Sequence, residues 1–336
     1  MFANRLSASG AVIAVSATAA ALMLLFPSES LTAAAKGLGI WWEVLFPALF
    51  PFLVISELML GFGVVHFFGA LLDPLMRPLF RVPGIGGFVL AMGFASGYPV
   101  SARLTSQLWE QKLLTRSEGE RLVSFATTAD PIFLIGAVSV GFFHDVSLAP
   151  ILAAAHYGAA LLVGFAMRFV GRDGRGESAP ERTGASGGGF PLVRALRAMH
   201  RARLADGRPL GVLLGQAVAN SLKLVMVIGG LVVFFSVVIE VMTLARVMGA
   251  LHAAVGSLFH LFAVPPALSQ AVLNGIFEVT LGAKAAGAET AGVPLAAKVA
   301  IAAFVVSWGG LSVHAQVVSL LHQTNLRYGP FAFARA

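Results

Sequence analysis

The sequence predicts an all-α polytopic membrane protein: about eight transmembrane helices with re-entrant hairpins, broken helices and inverted repeats. Three observations predict it. Hydrophobic residues make up 57% of the 336-residue chain and charged residues 12%, half the roughly 25% of an average soluble domain, and mean hydropathy is +0.85. Apolar runs recur along the whole length. Two glycine-rich breaks, Gly93 to Pro99 and Ser307 to Ser312, interrupt such runs. A simple anchor has no use for these breaks, because backbone groups freed within hydrocarbon cost several kcal/mol each (about 2–7) unless protein or cavity water satisfies them.

Candidate spans are 10–27, 41–63, 64–80, 84–108, 122–143, 148–170, 210–240, 247–264, 267–283 and 295–322. The first resembles a signal sequence behind Arg5, and its length favours a retained span. Pro47 and Pro51 cut the second run and Pro265-Pro266 precede the ninth, so some runs are expected to enter and leave on one side. In the polar loop 109–121, Ser117 and Glu120 have capping-box spacing, which predicts a helix beginning near Glu118; Asp130-Pro131 interrupts the span that follows.

The +7 net charge is concentrated. Residues 171–209 carry eight arginines against four acidic residues, which places this loop in the cytoplasm. Residues 171–189 read as a flexible linker. Residues 190–207 read as a basic amphipathic helix on the membrane surface, with Leu192, Leu196 and Met199 on one face. Nucleic acid is not an expected partner, since the tract sits between spans. The expected organisation is an N-terminal membrane repeat (1–170), the cytoplasmic linker (171–209) and a C-terminal membrane repeat (210–336). Phe52 to Met59 aligns with Phe235 to Met242, pairing Glu57 with Glu240, and Gly97 to Ala102 aligns with Gly310 to Ala315.

Ionisable residues within apolar runs are the candidate functional groups, since a carboxylate at the bilayer centre costs about 2.5–3.5 kcal/mol on insertion scales. Glu57, Asp130, Glu240 and Glu278 are candidates for coupling or gating, or for structural pairing with a cation. Arg103 and Lys223 suit an anionic substrate; their structural alternative is snorkelling, or pairing with Glu57 or Glu240. Asn220 accompanies Lys223. Ser96, Gly97 and Tyr98 at the first break, and Gly309, Gly310, Ser312, His314 and Gln316 at the second, complete the expected substrate site. Half-helix N-termini at such breaks offer unpaired N–H groups and a positive partial charge. The other histidines lack metal-ligand spacing, the absence of cysteine excludes thiolate chemistry, and no cofactor or metal is expected. Ser96 with His314 is the one serine–histidine pairing that an intramembrane enzyme would need; no catalytic role is expected of it.

Trp41-Trp42-Glu43-Val44-Leu45-Phe46-Pro47-Ala48-Leu49-Phe50-Pro51-Phe52 with Ser56-Glu57-Leu58, Ser96-Gly97-Tyr98-Pro99 followed by Val100-Ser101-Ala102, and Gly309 to Gln316 resemble the YlbJ family of sporulation membrane proteins. That family lies within the nucleoside-recognition Gate superfamily, which is distantly similar to concentrative nucleoside transporters. Where the family commonly has Asn-Asn-x-x-Pro, this chain has Thr127-Thr128-Ala129-Asp130-Pro131. The resemblance implies a permease moving dipicolinate, a small planar anion, across the outer forespore membrane. A nucleoside-like permease and a non-transporting scaffold of a sporulation complex are the alternatives. Expected partners are the anionic solute, the lipid bilayer, and further copies of the chain or other sporulation membrane proteins.

Overall fold

The computed structural model describes residues 2–170, 191–288, 292–322 and 324–336. The chain is an all-helical polytopic membrane protein, with no strand among the described residues. Helices Val146–Met167, Leu210–Leu244 and Leu295–Leu321 are long and apolar enough to cross a bilayer, and the number rises to five if each of two bent pairs counts as one span. The rest of the apolar sequence is folded as shorter, interrupted helices, a consequence of the breaks seen in the sequence.

The first half comprises α1 (Phe2–Leu25), α2 (Pro27–Ile40), α3 (Phe46–Gly61), α4 (Val64–Phe80), α5 (Ile85–Ser96), α6 (Tyr98–Glu110), α7 (Arg116–Ala126), a π-helical segment (Ile132–Phe142) and α8 (Ala149–Met167). After the basic loop come α9 (Pro191–Asp206), α10 (Leu210–Leu244), α11 (Val247–Leu261), α12 (Ser269–Phe277), α13 (Val279–Gly287), α14 (Leu295–Trp308), α15 (Gly310–Leu321) and α16 (Gly329–Arg335). The linker expected over 171–189 lies outside the described residues; the amphipathic helix is α9, with Leu192, Leu196 and Leu204 exposed. Residues 28–40 and the C-terminus lie outside the expected spans. Both are helical, as α2 and α16.

Two hairpins and two broken helices organise the membrane body. At Gly97 the chain reverses between α5 and α6, so that a Cβ on Gly93 would meet Ser101 at 3.0 Å. At Glu278 it reverses between α12 and α13. There a Cβ on Gly282 would stand 2.2 Å from Gly275 Cα, an approach only two glycines permit. Each hairpin is followed by a helix broken midway: α7 into the π-helical segment across 127–131, and α14 into α15 at Gly309 (φ 84°) and Gly310 (φ 77°). Contacts at the ends show that the two broken helices run in opposite senses. Glu120, near the start of α7, meets Arg327 beyond the end of α15, while Phe142, at the far end, lies against Gly287 of the second hairpin.

The cap of α7 differs from expectation. Thr115, not Ser117, is the N-cap: its side chain accepts the Glu118 N–H at 3.3 Å and Glu118 returns a bond to the Thr115 N–H at 2.9 Å. Both frames match the capping-box pattern. The earlier one leaves Glu120 free to bind arginine. Arg121 Nη2 donates to Arg81 O and Arg81 Nη1 to Arg168 O, which brings the loop at 109–121 and the entrance to the basic loop to one end of the molecule.

Candidate functional site

The four chain breaks converge. The tip of the first hairpin packs on the first broken helix: Gly97, at φ 88° and ψ −177°, leaves only 3.0 Å between the position of a Cβ and Asp130 Oδ2. The tip of the second packs on the second, since a Cβ on Gly310 would stand 2.9 Å from Val279 N and 3.1 Å from Glu278 Cα. The Tyr98 hydroxyl ties one pair to the other by donating to Val306 O at 2.6 Å.

Between them lies a cavity of about 50 Å³. Gly97, Tyr98 and Pro99 contribute from the first tip, Asp130 and Phe133 from the first broken helix, Glu278 and Thr280 from the second tip, and Ser312 and Gln316 from α15. Leu45, Leu49, Ile228 and Val232 close it with apolar surface. Ligand pockets typically enclose about 300–1,000 Å³, so this cavity has room for a few waters.

Four half-helices begin at the cavity. Two carry their own carboxylate cap: Asp130 Oδ1 accepts Phe133 N–H at 2.8 Å and Glu278 Oε2 accepts Leu281 N–H at 2.8 Å. The other two, α6 and α15, have no side-chain cap. Their first N–H groups are the orphan donors every helix N-terminus leaves, partly reduced in α6 because Pro99 has none.

A second cavity, of about 470 Å³ and far more polar, lies toward α9. Here Glu57 accepts from Gln107 Nε2 at 2.9 Å and Asn220 Nδ2 at 3.4 Å, and stands 3.6 Å from Arg103 Nε. Asp206 and Arg208 border it from the other side, joined by a 2.5 Å bond. Three helices line both cavities: α3 with Leu49 and then Glu57, α6 with Pro99 and then Arg103, α10 with Ile228 and then Asn220. Between these positions on each helix stands a buried apolar residue, Leu53, Val100 and Leu224, all of one core cluster.

A model of the Gate family, described as nucleoside recognition, matches residues 42–144. The sporulation integral membrane protein YlbJ of Bacillus subtilis (strain 168) is 44% identical over 316 residues, covering 94% of this chain and 76% of that protein. This chain belongs to the YlbJ family. No solved structure matches. The Gate match takes in the first hairpin, the first broken helix and the Glu57–Arg103 pair; the second hairpin and α15, which complete the cavity of this YlbJ-family protein, lie beyond it.

Of the residues expected to form one site, the structure gathers Gly97, Tyr98, Asp130, Glu278, Ser312 and Gln316 at the central cavity. Gly309 and Gly310 make the turn behind it. Arg103, Glu57 and Asn220 line the second cavity instead, where Arg103 faces Glu57 as its structural alternative had it. Lys223 is exposed on α10 and Glu240 lies farther along that helix; neither borders a cavity described here. His314 turns away: Nδ1 shares a 2.6 Å bond with the Tyr328 hydroxyl and Nε2 lies 3.2 Å from Trp308 O. Ser96 is buried behind the tip with its hydroxyl unpartnered, so it forms no dyad with His314. The alignment of Gly97 with Gly310 equates a hairpin tip with a mid-helix break.

His156 is one of the scattered histidines expected to be satisfied rather than ligating, though its place between the breaks was not anticipated. Its Nε2 accepts Ala129 N–H at 2.9 Å, so in the neutral ring Nδ1 carries the proton, toward Ser307 Oγ at 3.2 Å. It is a satisfied histidine joining the two breaks, and no group of three metal-ligating side chains occurs among the described residues.

Proposed function

We propose that the protein is a permease for a small planar solute, bound at the central cavity. The observation that carries this reading is the convergence of two hairpin tips and two broken helices on one small cavity, where Asp130, Glu278, Ser312 and Gln316 stand among apolar side chains, the arrangement by which broken helices serve mid-membrane solute sites. The organisation into membrane repeats 1–170 and 210–336 about a cytoplasmic linker fits the paired hairpins and the opposed broken helices. Solute reaches the site from the cytoplasmic, polar cavity when the plug of Leu53, Val100 and Leu224 parts. Asp130 and Glu278 couple binding to backbone geometry, because each carboxylate caps a half-helix that borders the solute.

A planar dicarboxylate of the dipicolinate type is the leading solute. Two uncapped half-helix N-termini, one from each half, suit two carboxylates. Movement across the outer forespore membrane follows from the family resemblance. One observation favours a neutral, nucleoside-like solute instead: among the described residues the cavity wall has two carboxylates and no lysine or arginine. Competition decides between them. Purified protein in proteoliposomes is expected to take up labelled dipicolinate, with related dicarboxylates competing and nucleosides failing to. The reverse pattern would transfer the assignment to nucleosides, and no flux of either from folded protein would support the scaffold reading and sink the permease.

The absence of cysteine in the sequence allows a direct check of the route. Gln107→Cys, in the polar cavity, is expected to react with a water-soluble maleimide at once. Ser312→Cys should react slowly, faster when Leu224→Ser weakens the plug, and slower again when solute is added. Equal rates at both positions would mean that the plug does not separate the cavities.

A further inference from the structure

We propose that Arg335 is a positioning residue: a tethered cation that joins the carbonyl ends of the two broken helices and so fixes the backbone that forms the solute cavity. This rests in part on the permease reading, but its first test does not.

Arg335 ends α16, a short helix beyond the last span. Its Nη1 donates to Ser307 O at 2.8 Å and its Nη2 to Thr127 O. Ser307 lies in the last turn of α14, and Thr127 is the C-cap of α7. These are the negative ends of two half-helices, each equivalent to roughly half an electron charge, so one guanidinium matches both. The residue pairs with no carboxylate among the described residues. Phe331 of the same helix, 1% exposed, seats it, with the guanidinium 5.4 Å from the ring.

The breaks that Arg335 grips from behind are the ones that face solute in front. Asp130 follows Thr127 by three residues, and Gly309 follows Ser307 by two. A pocket of about 190 Å³ adjoins the guanidinium, bordered by His156, Ser124 and Ser307. Within this region Arg335 Nε is buried and unpartnered. Removal of the side chain would therefore leave two converging carbonyls and open volume: a site for a small planar cation. Arginine fills it in the native chain because its fork can reach both oxygens together.

The test is chemical replacement. Arg335→Ala, purified in detergent, should melt below wild type and recover when guanidinium is added at low millimolar concentration. Urea, the uncharged molecule of the same shape, and sodium should not restore it; wild type should respond to none of them. No recovery, or equal recovery with urea, overturns the proposal. If Arg335→Ala yields no folded protein, Arg335→Lys and Arg335→Gln decide: the charged variant should be the more stable, and parity between them overturns the idea. Where wild type binds dipicolinate, Arg335→Ala should bind it about tenfold more weakly, the least that one lost charge-assisted hydrogen bond is expected to produce, with guanidinium restoring affinity. Failure of wild type to bind solute counts against the permease alone and leaves the melting comparison to judge Arg335.

Discussion

Gly310→Ala should abolish solute binding, whereas Gly309→Ala, one residue away, should only weaken it. Both glycines have left-handed backbones, φ 77° and 84°, so alanine strains each by a similar amount, about 1–2 kcal/mol. Their surroundings differ. A methyl group on Gly309 would meet only the Val313 side chain, at 3.3 Å, and that side chain can shift. On Gly310 it would meet backbone: Val279 N at 2.9 Å and Phe277 O at 3.1 Å. That backbone is the tip of the second hairpin, held by the Glu278 cap and by the contact of Gly282 with Gly275. The tip must back away from the broken helix, adding overpacking of about 1–3 kcal/mol. It would also displace Glu278 and Thr280 at the cavity wall. Thermal unfolding and solute titration of the two variants give the measurement. Since the strain is shared, the difference between them reports the contact between tip and break. Equal losses would mean that backbone strain alone matters and that the second tip does not shape the site.

Much of this fold was legible in the sequence, because the bilayer leaves a chain few options. Nearly every apolar run became a helix or a hairpin, and the chain does break at Gly97, Asp130-Pro131, Glu278 and Gly309; the cut expected at Pro47 and Pro51 did not follow, because Pro47 sits in the first turn of α3 and Pro51 is carried inside it. Asp130-Pro131 and Glu278 stood out because a carboxylate in an apolar run needs a reason. The pairing of breaks was not legible. Gly97 and Gly310 look alike as sequence, yet one reverses the chain and the other only interrupts it. What separates them is packing between distant residues, such as Gly275 on Gly282, which single-chain patterns do not encode. The same limit misplaced the cations. Arg103 and Lys223 are costly wherever they are buried, but the sequence does not say that Arg103 faces Glu57 while Lys223 remains exposed. Arg335 had no signal at all. It lies past the last apolar run, and its partners are backbone carbonyls, which any sequence possesses.

Acid should loosen the C-terminal segment before the membrane body, and Glu120→Gln should remove that sensitivity. Glu120 belongs to the polar start of α7, outside the apolar span, with its side chain only 4% exposed. It accepts four bonds: from Arg116 Nε at 3.0 Å, and from Arg327 N–H, Nε and Nη2 at 2.9, 2.9 and 2.8 Å. Burial pushes the carboxyl upward, but the bonds from Arg327 and Arg116 outweigh it and hold it below the usual carboxylate range. A depressed value in the folded state means that the unfolded chain takes up the proton first. The stabilisation is therefore complete above about pH 4.3, the ordinary glutamate value, and is lost as pH falls through the lower folded value. Glu120→Gln keeps the shape but lacks the charge. It should melt below wild type at pH 7, by about 1–3 kcal/mol in stability because both arginines can return to water, and the gap should close on acidification. A gap that widens in acid would contradict the assignment. The consequence reaches the proposed solute site, because α7 is clasped at both ends by one C-terminal segment: Glu120 by Arg327 where the helix begins, Thr127 by Arg335 where it breaks. Loss of the first clasp releases the segment that carries the second. Solute affinity in Glu120→Gln should then fall in step with wild-type affinity at low pH, which links a polar loop at the membrane surface to the backbone at its centre.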